Sequence, residues 1–270
     1  LIDCGEATQF RLAQLGVPFS KIHYIFISHL HGDHFYGLFG LLSSWAMQGR
    51  EHPLTIYSPP GLRAMLRPVL FPNDVFPFRI TFVETNPELS EVLLENNTVR
   101  VTSIPLCHGV ACHGFLFCEQ PRLPSMRKEK IAQYDIHYRF IPGIKAGADF
   151  VTPDGVVVPH SELVLPPGRV RSYAYCSDTM YYEAVIPFVR GVNLLYHEAT
   201  FDDGLAQAAT EKKHSTASQA ARIAQLAGVG RLLLGHFSAR YADLGILLEQ
   251  AQSVFRDTVL AEELVCYCVE

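Results

Sequence analysis

Apolar residues fall along this chain in short runs that each close on a polar cluster, at 22–28, 54–58, 99–105, 172–177, 192–200 and 231–236. These runs are rich in β-branched and aromatic residues and too short for helices, so they predict strands. Between them the spacing becomes helical. In 242–255, Leu244, Leu247, Leu248, Ala251, Val254 and Phe255 recur at the intervals of one helix face. A second helix passes through Ala220, Ala221 and Ala224. Ser215 or Thr216 can cap its first N–H groups and Gly228 can end it. A third helical pattern covers 35–48. Strands interleaved with helices predict an α/β layered domain.

Residues 119–170 break that rhythm with Pro121, Pro124, Pro142, Pro153, Pro159, Pro166 and Pro167. Proline fixes φ and lacks an N–H, so the region fits poorly in central strands or helices and reads as an inserted arm, projecting from the core or lying across it. A chain of 270 residues that is 49% hydrophobic can build a sizeable core as one domain. Its longest apolar stretches, such as 35–42, fall short of the roughly 18 residues of a membrane helix, and the protein is expected to be soluble. A net charge of −5 counts against nonspecific coating of nucleic acid, although the arm carries a small positive excess on an acidic body. The seven cysteines form no C-x-x-C pair, which suits spectator thiols in a reducing compartment, and cytoplasm is the expected location.

The strongest chemical signal is His29-Leu30-His31-Gly32-Asp33-His34, at the exit of the predicted strand 22–28. Four potential ligands within six residues can converge on one point if the chain turns there. Imidazole with carboxylate suits zinc or a similar divalent ion. Further candidates follow other predicted strands: His108, Asp178 and His236. One such residue alone is more often structural; three at strand ends of one domain point to a shared site. His23, His52, His113, His137 and His160 have no motif around them and are read as structural or exposed.

With these motifs the chain resembles the metallo-β-lactamase superfamily, with its H-x-H-x-D-H loop and later His, Asp and His. Within that superfamily it is similar to the ribonuclease Z family. The segments 195–201 (LYHEATF), 214–216 (HST) and 235–241 (GHFSARY) carry that closer likeness, in the family's order. The resemblance implies a four-layer αββα sandwich with a substrate-binding arm at about 119–170. The family's first strands would precede Leu1, which opens directly on a strand-like Leu1-Ile2-Asp3.

The resemblance also implies two zinc ions per subunit, with manganese as a possible substitute. His29, His31 and His108 would hold one, and Asp33, His34 and His236 the other. Asp178 would bridge them. Water ionised between the metals would attack a phosphodiester and remove the 3′ trailer of precursor tRNA, leaving a 3′ hydroxyl. Asp33 would be the general base. Glu198 and His214 would pair to protonate the departing 3′ oxygen, an ordinary hydrogen bond being the plainer reading of that pair. Asp3 would support the metal loop from behind. Ser238 and Arg240 could hold a substrate phosphate or simply lie on the surface. The family works as a homodimer, with the arm of one subunit serving the other. Two rivals remain: a small-molecule phosphodiesterase, arylsulfatase or lactonase on the same fold, and an inactive RNA- or partner-binding scaffold.

Overall fold

A computed structural model describes residues 1–71, 73 and 75–270. Along the chain the strands are β1 (Tyr24–Phe26), β2 (Leu54–Ser58), β3 (Ile80–Glu84), β4 (Val92–Glu95), β5 (Val99–Pro105), β6 (His113–Glu119) and β7 (Ser125–Met126). They continue with β8 (Phe150–Val151), β9 (Val157–Val158), β10 (Val164–Leu165), β11 (Ser172–Cys176), β12 (Leu194–Glu198), β13 (Arg231–Gly235) and β14 (Thr258–Leu260). Two compact units emerge. The larger comprises Leu1–Glu95, Arg100–Cys118 and Arg171–Glu270; the smaller comprises Asn96–Val99 and Glu119–Val170.

The larger unit is built on two sheets. One is three-stranded and parallel, in the order β1-β2-β3. The other has seven strands in the order β14-β13-β12-β11-β6-β5-β4. Its β11, β12, β13 and β14 run parallel, which brings their carboxyl ends to one edge. Parallel strands covered on both faces read as continuous apolar runs, and Leu232, Leu233 and Leu234 of β13 are all buried.

The sheets meet through aromatic rings: Phe26 of β1 lies 5.4 Å from Phe115 and 5.5 Å from Phe117 of β6. Helices cover the other sides. Leu38, Leu41, Leu42 and Trp45 of helix Gly37–Met47 share a core with Ile25, Ile27, Leu54 and Ile56. On the seven-stranded sheet, Ala220, Ala221, Ala224 and Ala227 of helix Ala217–Ala227 pack with Leu195, Leu232 and Leu234. Their small side chains allow a close approach. The result is an α/β sandwich of four layers, helix, sheet, sheet, helix.

Local signals fix the helix ends. Thr216 accepts from Gln219 N while Gln219 Oε1 accepts from Thr216 N, a capping box, and Gly228 closes the helix at φ 64°, where a side chain would be strained. The smaller unit has its own core of Ile136, Ile144, Phe150, Val158, Leu163 and Val164. Its strands pair antiparallel, β7 with β10 and β8 with β9. Proline is accommodated at helix starts, Pro142 in the first turn of Ile141–Lys145 and Pro159 as the cap before His160–Leu163.

Candidate metal centre

The segment 29–34 leaves β1 and turns into the short helix Gly32–Phe35, carrying His29, His31, Asp33 and His34. His108 follows β5, Asp178 follows β11, and His236 follows β13. Glu198 is the last residue of β12, and His214 precedes helix Ala217–Ala227. These positions share one edge of the sandwich. Ligand atoms of His29, His31, His108 and Asp178 lie within 4.8 Å of one another, as do those of Asp33, His34 and His236, and those of Asp178, His214 and His236.

Five imidazoles hold Nδ1 against a protein oxygen. His29 Nδ1 lies 3.0 Å from Ser28 Oγ, His34 Nδ1 2.8 Å from Asp3 Oδ2, and His108 Nδ1 2.9 Å from the Lys213 carbonyl. His236 Nδ1 lies 3.0 Å from Thr200 Oγ1, and His214 Nδ1 2.8 Å from Glu198 Oε1. An acceptor at Nδ1 keeps the proton there, so Nε2 is left with a lone pair. His31 differs and presents Nδ1, 3.0 Å from His29 Nε2 and 3.3 Å from His108 Nε2. A proton on His31 could serve only one of those two contacts; a cation serves all three ring nitrogens.

Asp178 faces both groups. Its Oδ2 lies 3.5 Å from His29 Nε2 and 3.7 Å from His108 Nε2, while Oδ1 lies 3.3 Å from His34 Nε2 and 3.2 Å from His236 Nε2. Asp33 Oδ2 stands at the rim, 3.5 Å from His34 Nε2 and 3.6 Å from His236 Nε2. The electrostatics are those of a place built for positive charge. Burial pulls the His29 imidazole down to about 3. Burial also acts on His34, but the Asp178 and Asp3 carboxylates outweigh it and raise that imidazole to about 10. Asp178 is itself buried, yet His34 and His236 hold its carboxyl well below the ordinary range. His34 Nε2 is buried without a hydrogen-bond partner. A divalent ion would supply the charge that His34 otherwise takes up as a proton, and the donor set fits one.

Glu198 is fully buried and accepts from Thr179 N at 2.9 Å, Thr200 N at 3.1 Å, Thr200 Oγ1 at 2.6 Å and His214 Nδ1. Ser238 and Arg240 are bonded to one another, Arg240 Nε to Ser238 Oγ at 3.1 Å, and the guanidinium lies over Phe201. Of the histidines outside the motifs, His113 is buried against Thr85 Oγ1 at 3.2 Å, and His23 and His52 meet edge to face. His137 caps Tyr138–Phe140 and His160 begins a helix of the smaller unit. The orienting roles of Ser28, Thr200 and the Lys213 carbonyl have no signature in the sequence. These groups hold Nδ1 atoms through tertiary contacts that no spacing reveals.

A family model described as "Anti-Pycsar protein Apyc1" matches residues 1–70, the part that carries the first histidine loop. A protein of Parabacteroides distasonis named Ribonuclease Z is 44% identical over 267 residues, covering 97% of this chain and 87% of that protein. The chain belongs to the ribonuclease Z family. Among solved structures, human tRNase Z, short form, is similar with a TM-score of 0.68 at 25% identity, covering 100% of this chain and 87% of that one. The metallo-β-lactamase fold protein YhfI of Bacillus subtilis, at 22% identity, is similar in fold with a TM-score of 0.65, covering 97% of this chain and 83% of that one. The ribonuclease Z motifs at 195–201, 214–216 and 235–241 all border the cluster. A divalent metal is supported by this fold together with the His/Asp cluster.

Proposed function

We propose that this ribonuclease Z family member removes the 3′ trailer from precursor tRNA with two zinc ions, of which His29, His31 and His108 would hold one and Asp33, His34 and His236 the other, Asp178 being shared between them. The observation that carries the reading is the two-sided carboxylate of Asp178, with one oxygen toward each histidine group. The family supplies the substrate. Such ions supply Lewis acidity toward a phosphodiester and make a water in the site more acidic.

The chain's own residues do the rest. His236 and His34 hold the Asp33 carboxyl down to about 2 despite partial burial, so it is ionised at neutral pH and placed to accept a proton from water. Glu198, fixed by four donors, keeps the His214 proton on Nδ1 and turns Nε2 toward the cleft. In its protonated form His214, oriented by Glu198, can give the Nε2 proton to the departing 3′ oxygen. Ser238 and Arg240 offer a hydroxyl and a guanidinium for a neighbouring phosphate.

The smaller unit exposes Arg122, Lys128 and Arg139, a surface suited to the tRNA body, and the homodimer that the family resemblance implies is the form we propose for the active enzyme. All seven cysteines are free, in keeping with a reducing cytoplasm, and no helix among the described residues is long and apolar enough to cross a membrane.

The test is cleavage of a precursor tRNA with a 3′ trailer by zinc-loaded protein. Cleavage at the acceptor-stem boundary is expected, leaving a 3′ hydroxyl, with Asp33→Ala slower by about 10²–10⁴-fold. Loaded, folded protein that leaves this RNA intact yet hydrolyses a small phosphodiester would overturn the tRNA assignment and keep the metal site.

A further inference from the structure

Two tyrosines given no role so far, Tyr175 and Tyr196, reach the site from behind. Tyr175 of β11 and Tyr196 of β12 are paired in register, and their rings stack at 4.7 Å with 16° between planes. The Tyr175 hydroxyl donates to Asp3 Oδ2 at 2.9 Å, and the same oxygen receives His34 Nδ1 at 2.8 Å. The Tyr196 hydroxyl lies against Gly235, the residue before His236.

The Tyr196 ring also explains Gly235. A Cβ there would lie 2.2 Å from the Tyr196 hydroxyl and 2.5 Å from ring carbons, so only glycine lets the ring sit under the strand end. His236, the next residue, is held at φ 56°, and Asp3 at φ 50°. Residues without glycine's freedom occupy that region at a cost of order 1–3 kcal/mol unless the surroundings enforce it. The Tyr175 hydroxyl is bonded to one of these strained residues, Asp3, and the Tyr196 hydroxyl lies under the residue that leads into the other, His236.

His34 and His236 belong to one group, with Asp33. Neither hydroxyl touches His31 or His108; His108 is oriented by the Lys213 carbonyl. Asp3 does reach His29 through Ser28, but Ser28 keeps two bonds to Asp3 of its own, from N to Oδ1 at 2.7 Å and from Oγ to Oδ2 at 2.9 Å. That support does not depend on Tyr175.

We propose that Tyr175 and Tyr196 form a stacked pair of positioning residues that selectively sets the affinity of the Asp33–His34–His236 metal position, leaving the His29–His31–His108 position to other supports. The proposal rests on the two-metal reading above. Groups that orient ligating imidazoles typically change metal affinity by about 10–100-fold, and a hydroxyl removed as Tyr→Phe leaves the stacked rings in place.

The experiment is a calorimetric titration of chelator-stripped protein with Zn²⁺, repeated with Co²⁺ and followed by visible absorption. The parent is expected to take up two ions in resolvable steps. Tyr175→Phe and Tyr196→Phe each weaken one step about 10–100-fold and leave the other unchanged. Tyr173→Phe, on the same strand without a hydroxyl bond to the site, titrates like the parent. A parent that takes up two ions while Tyr175→Phe and Tyr196→Phe bind both with parental affinity, or lose both steps alike, overturns the selective role. A parent that takes up one ion overturns the two-metal reading, and the pairing with it.

Discussion

At the scale of single residues, the site separates groups that face the cleft from groups that orient them. His214 is the clearest case, because Glu198 fixes its Nδ1 and leaves Nε2 as the atom that takes up a proton and gives it to the leaving oxygen. A ribose 3′ oxygen leaves poorly without that proton, whereas a nitrophenolate leaves unaided. His214→Ala is therefore expected to slow precursor cleavage by about 10²–10³-fold while changing hydrolysis of a bis-nitrophenyl phosphate by roughly threefold or less. Steady-state rates on the two substrates check this; equal losses on both would mean that His214 holds the metals or the fold instead. The residues of this layer were legible in the sequence. Imidazoles and carboxylates at the ends of apolar runs announce a shared site, and the fold brings them within contact of one another. The orienting layer was not legible, since a carbonyl at Lys213 or a hydroxyl at Thr200 has no chemical signature until the chain has folded against it. Asp3 is the exception, visible because it ends an opening strand in front of a histidine loop.

At the scale of elements, legibility followed how far each element declares its own ends. Helix Ala217–Ala227 was readable at both, and the structure decides between the two candidate caps. Thr216 takes the cap, while the Ser215 hydroxyl donates to Thr179 O at 2.7 Å. Thr216→Ala is expected to cost about 1 kcal/mol, read as a lower urea midpoint at unchanged slope. Because Glu198 holds His214 independently, precursor cleavage by the folded variant should stay within about twofold; a larger loss would show that the cap also positions His214. Other elements differ from the sequence reading for physical reasons. The pattern over 35–48 becomes two helices, Gly32–Phe35 and Gly37–Met47, broken where Gly37 N donates to Cys4 O. The pattern over 242–255 starts only at Gly245, because Asp243 Oδ1 takes the Gly245 N–H. Strands β3 and β4 leave no clear pattern in the sequence: they are half-exposed, so the burial that produces a strong apolar run is missing. Likewise β14 has three residues and exists through its pairing with β13.

At the scale of the whole molecule, the described contacts give each sheet of the larger unit its own apolar core, and the metal centre draws on both. His29 to His34 come from the end of the three-stranded sheet, whereas His108, Asp178 and His236 come from the seven-stranded one. Ions held there would bind the folded arrangement and not the separated chain, and therefore stabilise it by mass action. With free zinc a thousandfold above its dissociation constant, one site contributes about 4 kcal/mol. For a chain of this size about 1 kcal/mol corresponds to roughly 2–4 °C. Chelation is thus expected to lower the melting temperature by about 10 °C or more, reversed by added zinc. Far-UV circular dichroism should change little before melting, because the cores of Leu41 and Ile56 on one sheet and of Leu195 and Leu234 on the other do not include the ligands. Differential scanning calorimetry with and without chelator reads the first part. A melting temperature indifferent to metal would place the stability of the sandwich in the Phe26, Phe115 and Phe117 contact between sheets alone. A large metal effect with an unchanged metal-free spectrum would show that the cores fold each sheet and the ions fasten the edge where the chemistry takes place.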